Sequence, residues 1–118
     1  MDKTGATIVL GAQWGDECKG KISAHIMRKE NIKYIYKAGI GPNAEHGIYF
    51  KEDGSYVKCH QLPLGFILQP NALIRIGPGV SVNPEVLFEE IKQFGLSGRV
   101  KVDPRCPIIL PEYAEWER

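Results

Sequence analysis

"ATIVLGAQWGDECKGKIS", residues 6–23, decides how this chain folds. Its first five residues are apolar or β-branched with no polar alternation, which predicts a strand buried on both faces at the centre of a helix-covered parallel sheet. A glycine-punctuated loop follows. The next stretch, "KGKISAHIMRKEN" (19–31), places Ile22 and Ile26 four apart with Met27 alongside, the pattern of a short amphipathic helix that Asn31 closes. Then "IKYIYKAG" (32–39) reads as a second strand, so the opening third is a strand, loop, helix, strand unit with a right-handed parallel crossover expected.

Downstream, "IYFKEDGSYVKCHQL" (48–62) carries two β-rich arms around an "EDGS" turn and predicts a hairpin. "ALIRIGPGVSV" (72–82) predicts a strand that leaves through Gly77, Pro78 and Gly79. "NPEVLFEEIKQFG" (83–95) predicts a helix with Asn83 as N-cap, Pro84 in its first position and Gly95 at its end. "GRVKVDPRCPIILP" (98–111) adds one or two short strands before "EYAEWER" begins a further element. The class is therefore α/β with a mainly parallel sheet, flanking helices and an inserted β-hairpin.

Composition narrows the partners. Fifteen basic against fourteen acidic side chains in 118 residues leave no footprint for neutralising a nucleic-acid backbone. The apolar runs are strand-length, far short of the ~20 residues that cross a bilayer, and the start "MDKTG" lacks a signal pattern. A cytoplasmic chain with neither nucleic acid nor membrane as partner is expected. Cys18, Cys59 and Cys106 form no C-x-x-C pair and are read as reduced thiols. His25 is read as a helix-surface residue, and His60 with Cys59 as hairpin-edge or core residues.

The chemistry concentrates in G-x-x-x-x-G-K, which Gly15, Asp16, Glu17, Cys18, Lys19, Gly20 and Lys21 satisfy between the expected strand and helix. Turn glycines let backbone N–H groups approach an oxyanion, a helix start adds partial positive charge, and lysine adds a full one. The position after Lys21, where a P-loop carries a hydroxyl ligand for magnesium, holds Ile22. That disfavours an ordinary P-loop kinase or GTPase. Two uses remain for the acids inside the loop: capping the helix of a tight turn, or a role for Asp16 in holding Mg²⁺, taking a proton from a substrate, or both, while Lys19 and Lys21 handle a nucleotide.

"QWGDECKGKI" (13–22) resembles the N-terminal signature Q-W-G-D-E-G-K-G-K-I of the adenylosuccinate synthetase family, and "GPNAEHG" (41–47) resembles its G-x-N-A-G-H-T loop. The likeness continues through "CHQLPLGFIL", "IRIGPGVSVNPEVLFEEI" and "VDPRCPIILPE", with the shorter archaeal-type members closest. It implies the N-terminal part of an adenylosuccinate synthetase-like domain over residues 1–118, P-loop-NTPase-like and incomplete relative to the full family fold. The family joins IMP to L-aspartate at the expense of GTP in AMP biosynthesis: a carboxylate takes the N1 proton, the γ-phosphoryl moves to O6, and the aspartate amine displaces phosphate.

Carried over residue by residue, the resemblance makes Asp16 the base and a Mg²⁺ ligand and His46 the general acid. It places GTP against Gly15, Asp16, Glu17, Cys18, Lys19, Gly20, Lys21, Glu45, His46 and Gly47. IMP falls against Asp16, Glu17, Cys18, Lys19, Asn43, Ala44, Glu45 and His46, and the backbone carbonyl of Glu45 is a second Mg²⁺ ligand. The family's homodimers imply a homo-oligomer, or a complementary chain that completes the site.

Three positions depart from the family pattern: Cys18 and Glu45 stand where it has glycine, and Gly47 where it has threonine. A Cβ at position 18 is expected to cost roughly 1–2 kcal/mol if the backbone there is left-handed. A carboxylate at 45 close to phosphate is expected to cost on the order of 3 kcal/mol at an effective dielectric near 20. Glycine at 47 removes a hydroxyl that GTP would meet. Two functional classes follow: a GTP-dependent carbon–nitrogen ligase, incomplete and inactive as an isolated chain, or a non-catalytic nucleotide-binding or interaction module derived from that family.

Overall fold

The computed structural model describes residues 5–13, 15, 17–39, 41–50 and 52–116. The described residues form α1 (Lys19–Lys29), β1 (Tyr34–Lys37), β2 (His46–Tyr49), β3 (Tyr56–Cys59), α2 (Gly65–Leu68), β4 (Leu73–Ile76), α3 (Pro84–Gln93), β5 (Val100–Val102) and α4 (Tyr113–Trp116). Strands β1, β4 and β5 form a parallel sheet in the order β1-β4-β5. Strands β2 and β3 form the separate antiparallel hairpin. The α/β class, the parallel sheet and the inserted hairpin are as the sequence predicts.

Local chemistry explains the punctuation. Asn83 has extended backbone and its side chain accepts hydrogen bonds from the Glu85 and Val86 amides, with Pro84 in the position where a missing N–H costs nothing. At the end of α1, Asn31 turns left-handed (φ 52°) and the Ile32 amide reaches back to the Met27 carbonyl at 2.9 Å, which closes the helix.

Register divides the sheet into two unlike faces. Ile35, Ile74, Ile76 and Val100 share one face and join the core with Ala24 and Met27 of α1, Phe66 of α2 and Leu87 of α3. The opposite face carries Tyr34, Tyr36, Arg75 and Lys101, and no described helix covers it: Tyr34 and Tyr36 are exposed and the Arg75 guanidinium lies over the Tyr34 ring. All of the described core lies on one side.

That one-sidedness corrects two expectations. Residues 6–10 form no strand and pair with none; Ile8 and Leu10 are 78% and 83% exposed. An apolar run becomes a central strand only where both faces are covered, and here helices cover one; β4 holds the centre instead. In α1 the core-facing residues are Ala24 and Met27, while Ile22 is exposed and Ile26 half-buried. The helix packs on α2 at Gly65, where a Cβ would collide with the ends of Met27 and Ile35, so small residues set its rotation.

Beneath the hairpin lies a buried polar knot. Lys37, at the end of β1, donates to the carbonyls of His60 (2.7 Å), Gln61 (3.0 Å) and Gly41 (3.3 Å). Glu90 of α3 accepts from the amides of His60, Gln61 and Leu62. Between them the buried side chain of Gln61 donates to the Ser81 carbonyl and accepts from the Asn83 amide. Burial pulls the Lys37 ammonium down to about 8, a shift that Glu90 opposes.

Glu90→Leu strands three buried amides and leaves Lys37 uncompensated, so a loss of about 3–5 kcal/mol is expected in urea unfolding. Adding Lys37→Met should cost less than the two single changes together, the signature of residues acting as one unit.

Candidate functional site

The start of α1 is built by two left-handed residues. Gly15 (φ 90°) and Cys18 (φ 62°, ψ 19°) bend the loop so that residue 18 becomes the N-cap, with no side-chain cap on the first amides of the helix. Glycine reaches this backbone without strain; cysteine does so against its Cβ. The left-handed backbone that would make residue 18 expensive is therefore present. Glu17 turns back into the loop, its carboxylate paired with the Lys19 ammonium and set so close to Gly11 that a side chain there would overlap it. Its second oxygen, Oε2, is buried without a hydrogen-bond partner among the described residues.

Strand β2 approaches this loop from the other side. His46 packs over the first turn of α1: a Cβ on Gly20 would sit 3.6 Å from Nδ1 and 3.7 Å from the histidine Cβ, ordinary contact. The two segments enclose a cavity of about 300 Å³, lined by Gly15, residues 17–21, residues 44–47, Tyr56 and Leu64. Ten of the twelve residues singled out from sequence meet there. Asn43 is exposed and does not line the cavity. Asp16, the expected base and metal ligand, lies outside the described residues.

Alternation along the hairpin sends neighbours to opposite faces. His46 pairs with Cys59, which is buried, whereas Gly47, Tyr49, Tyr56 and Lys58 share the outer face. Glu45 extends that outer face. Its carboxylate accepts from the Tyr56 hydroxyl (3.0 Å) and the Lys58 ammonium (3.3 Å), with His60 Nε2 at 3.8 Å. These partners, the Tyr56 bond foremost, hold its carboxyl below the usual range. Beside the expected opposition of an acid at 45 to a phosphate stands this geometry: Glu45 lines the cavity, and its carboxylate is paired with hairpin groups.

His46 sits in a different field. Burial first, then the positive charges of Lys37 and Lys19, lower its pKa from the ordinary 6.5, against a smaller opposing effect of Glu90. These influences favour the neutral imidazole. An anion placed in the cavity would act in the opposite direction to Lys37 and Lys19 and favour the protonated ring.

Sequence reasoning missed Tyr56, Leu64 and the Glu45 partners. The hairpin held the signal: extending the register His46↔Cys59 by one pair sets Glu45 opposite His60, with Lys58 diagonal to it, and opposite charges across strands attract. Lys37 and Glu90 had no such signal. Of the other histidines, His25 is exposed on α1 as expected, and Cys59 is a core thiol that burial pushes up to about 12.

Comparison with known proteins places this geometry. The family model described as adenylosuccinate synthetase matches residues 8–118. The adenylosuccinate synthetase of Archaeoglobus fulgidus is 41% identical over 114 residues, covering 97% of this chain and 33% of the relative. That of Methanococcus maripaludis is 42% identical over 115 residues, covering 95% and 33%. The chain thus spans about a third of the length of the curated relatives it matches. Among solved structures, adenylosuccinate synthetase from Plasmodium falciparum superposes with a TM-score of 0.76 at 31% identity, covering 92% of this chain and 25% of that one. The succinoaminodeoxyadenylate synthetase of cyanophage S-2L, bound to dGMP and dATP, gives 0.75 at 27%, covering 89% and 29%.

Two outcomes are expected. By proton NMR the His46 ring titrates below 6.5; because the folded chain then binds fewer protons than the unfolded one, its contribution makes stability rise with pH up to that value. Cys18→Gly, which removes the left-handed strain, should raise stability by about 1 kcal/mol in thermal unfolding, net of the freedom glycine adds to the unfolded chain.

Proposed function

We propose, from the premise that this chain belongs to the adenylosuccinate synthetase family, that it carries the phosphate-handling corner of such a ligase, with a role in purine nucleotide biosynthesis. The observation that carries the reading is the meeting of the α1 start with His46 across one cavity. In this reading GTP lays its phosphates against Gly15, Asp16, Glu17, Cys18, Lys19, Gly20 and Lys21, where amides and ammonium groups answer their charge. It also meets Glu45, His46 and Gly47. IMP lies against residues 16–19 and 43–46.

The residues divide the work between two loops. Asp16 takes the proton from purine N1, which raises the electron density on O6 for attack at the γ-phosphorus. Burial first, then Lys37 and Lys19, favour the neutral His46 ring, and the negative charge of a bound triphosphate acts the other way, favouring a proton on it. His46 then donates to the phosphate oxygens and steadies the charge growing on the leaving GDP.

Glu17 and Glu45, among the residues lining the cavity, carry oxygen donors of the kind a hard cation takes. Asp16 and the backbone carbonyl of Glu45 would hold Mg²⁺, which when bound supplies positive charge to the phosphates. The Glu45 carbonyl offers the same oxygen whatever its side chain does. A second reading, a non-catalytic nucleotide-binding or interaction module, draws on the uncovered sheet face with its exposed Tyr34 and Tyr36, a surface suited to a partner or a second copy.

Calorimetric titration of GTP with Mg²⁺, and of IMP, tests the reading; saturable binding of GTP that weakens on Lys21→Ala is expected, and no heat from either nucleotide would overturn it. The 118-residue chain alone is expected to form no adenylosuccinate from IMP, GTP and L-aspartate. Product detected spectrophotometrically would show the site complete within it.

A further inference from the structure

Two of the three departures from the family pattern, Glu45 and Gly47, meet at one side chain. Tyr56 lies across Gly47, where any Cβ would overlap its hydroxyl and ring, and the hydroxyl reaches beyond to donate to Glu45 at 3.0 Å. Its ring is held from the far side by Tyr49, with centroids 4.5 Å apart. A bare residue 47, an acid at 45 and an aromatic pair at 49 and 56 are thus requirements of one arrangement. Remove the hydroxyl, and Glu45 keeps only the longer contacts to Lys58 and His60, both on exposed side chains.

Glu45 and Tyr56 both line the cavity, opposite Lys19 and Lys21. Where the carboxylate points therefore decides what an anion meets. Bound to Tyr56 it faces the hairpin cations; released, it turns a full negative charge toward the α1 start. We infer that Tyr56 is a positioning residue for this site, a phenol that crosses Gly47 to hold the Glu45 carboxylate on the hairpin side and so leaves the α1 cradle open to a triphosphate. The inference rests on the nucleotide-binding reading for its ligand class, while the coupling between Tyr56 and Glu45 stands on the hairpin itself.

A double-mutant cycle separates the two. Inorganic tripolyphosphate with Mg²⁺ is titrated into the wild-type chain, Tyr56→Phe, Glu45→Ala and the double variant, with thermal unfolding of all four. Tyr56→Phe is expected to weaken tripolyphosphate about tenfold, more at low salt, and to have no further effect once Glu45 is alanine. Gly47→Ala, which displaces Tyr56, should reproduce the loss. Equal weakening in both backgrounds, or a loss that ignores salt, overturns the proposal, since a merely structural tyrosine would behave that way. Should the wild-type chain bind neither tripolyphosphate nor GTP, the nucleotide reading falls and the open-cradle role with it; coupling of Tyr56 to Glu45 in unfolding then sustains only the hold on the carboxylate, and additive effects refute that too.

Discussion

Everything around the site hangs on the segment 60–62, which two buried ions grip from opposite sides. Its carbonyls are taken by Lys37 and its amides by Glu90, while Gln61 reaches through to residues 81 and 83. Unpaired, either charge would be ruinous in the interior; paired through the backbone, they fix where the hairpin leaves the core. Since β3 ends one residue earlier at Cys59, and Cys59 is the register partner of His46, the knot sets the depth at which the imidazole meets α1. The same lysine lowers the proton affinity of that imidazole. Fold and chemistry here share one buried lysine.

Much of this was legible in the residues. Local signals carried the hairpin, the caps of α3 and the left-handed close of α1, because each depends on neighbours within a few positions. The motif at 15–21 and the pair of loops it forms with residues 43–47 were legible by resemblance, and the cavity joins ten of those residues. What was not legible depended on distant context. Residues 6–10 have the composition of a central strand, but composition does not state whether a second layer is present to cover it. Ile22 follows the helical period, yet Gly65 and Ala24 set the rotation of α1. Nothing local marks Lys37 and Glu90 as buried ions, since most of their partners are backbone groups more than twenty residues away.

The substitutions in the two loops differ in kind. Cys18 is a plain cost, a Cβ on left-handed backbone at a helix start that glycine would occupy freely. Glu45 and Gly47 are coupled: the acid is tolerable because Lys58 and Tyr56 answer it, and Tyr56 reaches it because residue 47 has no side chain. Read one at a time, each removes a feature of the family's loop. Read together they form one set of hairpin contacts, Tyr56 over Gly47 onto Glu45.

The exposed run at residues 6–10 has a consequence for how the chain behaves in bulk. Thr7, Ile8 and Val9 are β-branched, Leu10 is apolar, and no charge or proline interrupts them, the makeup of segments that stack as cross-β ladders. With its backbone unpaired and Ile8 open to water, this stretch is a ready template for its own copies. A layer laid over residues 6–10 would remove both the bare backbone and the apolar side chains from water in one step.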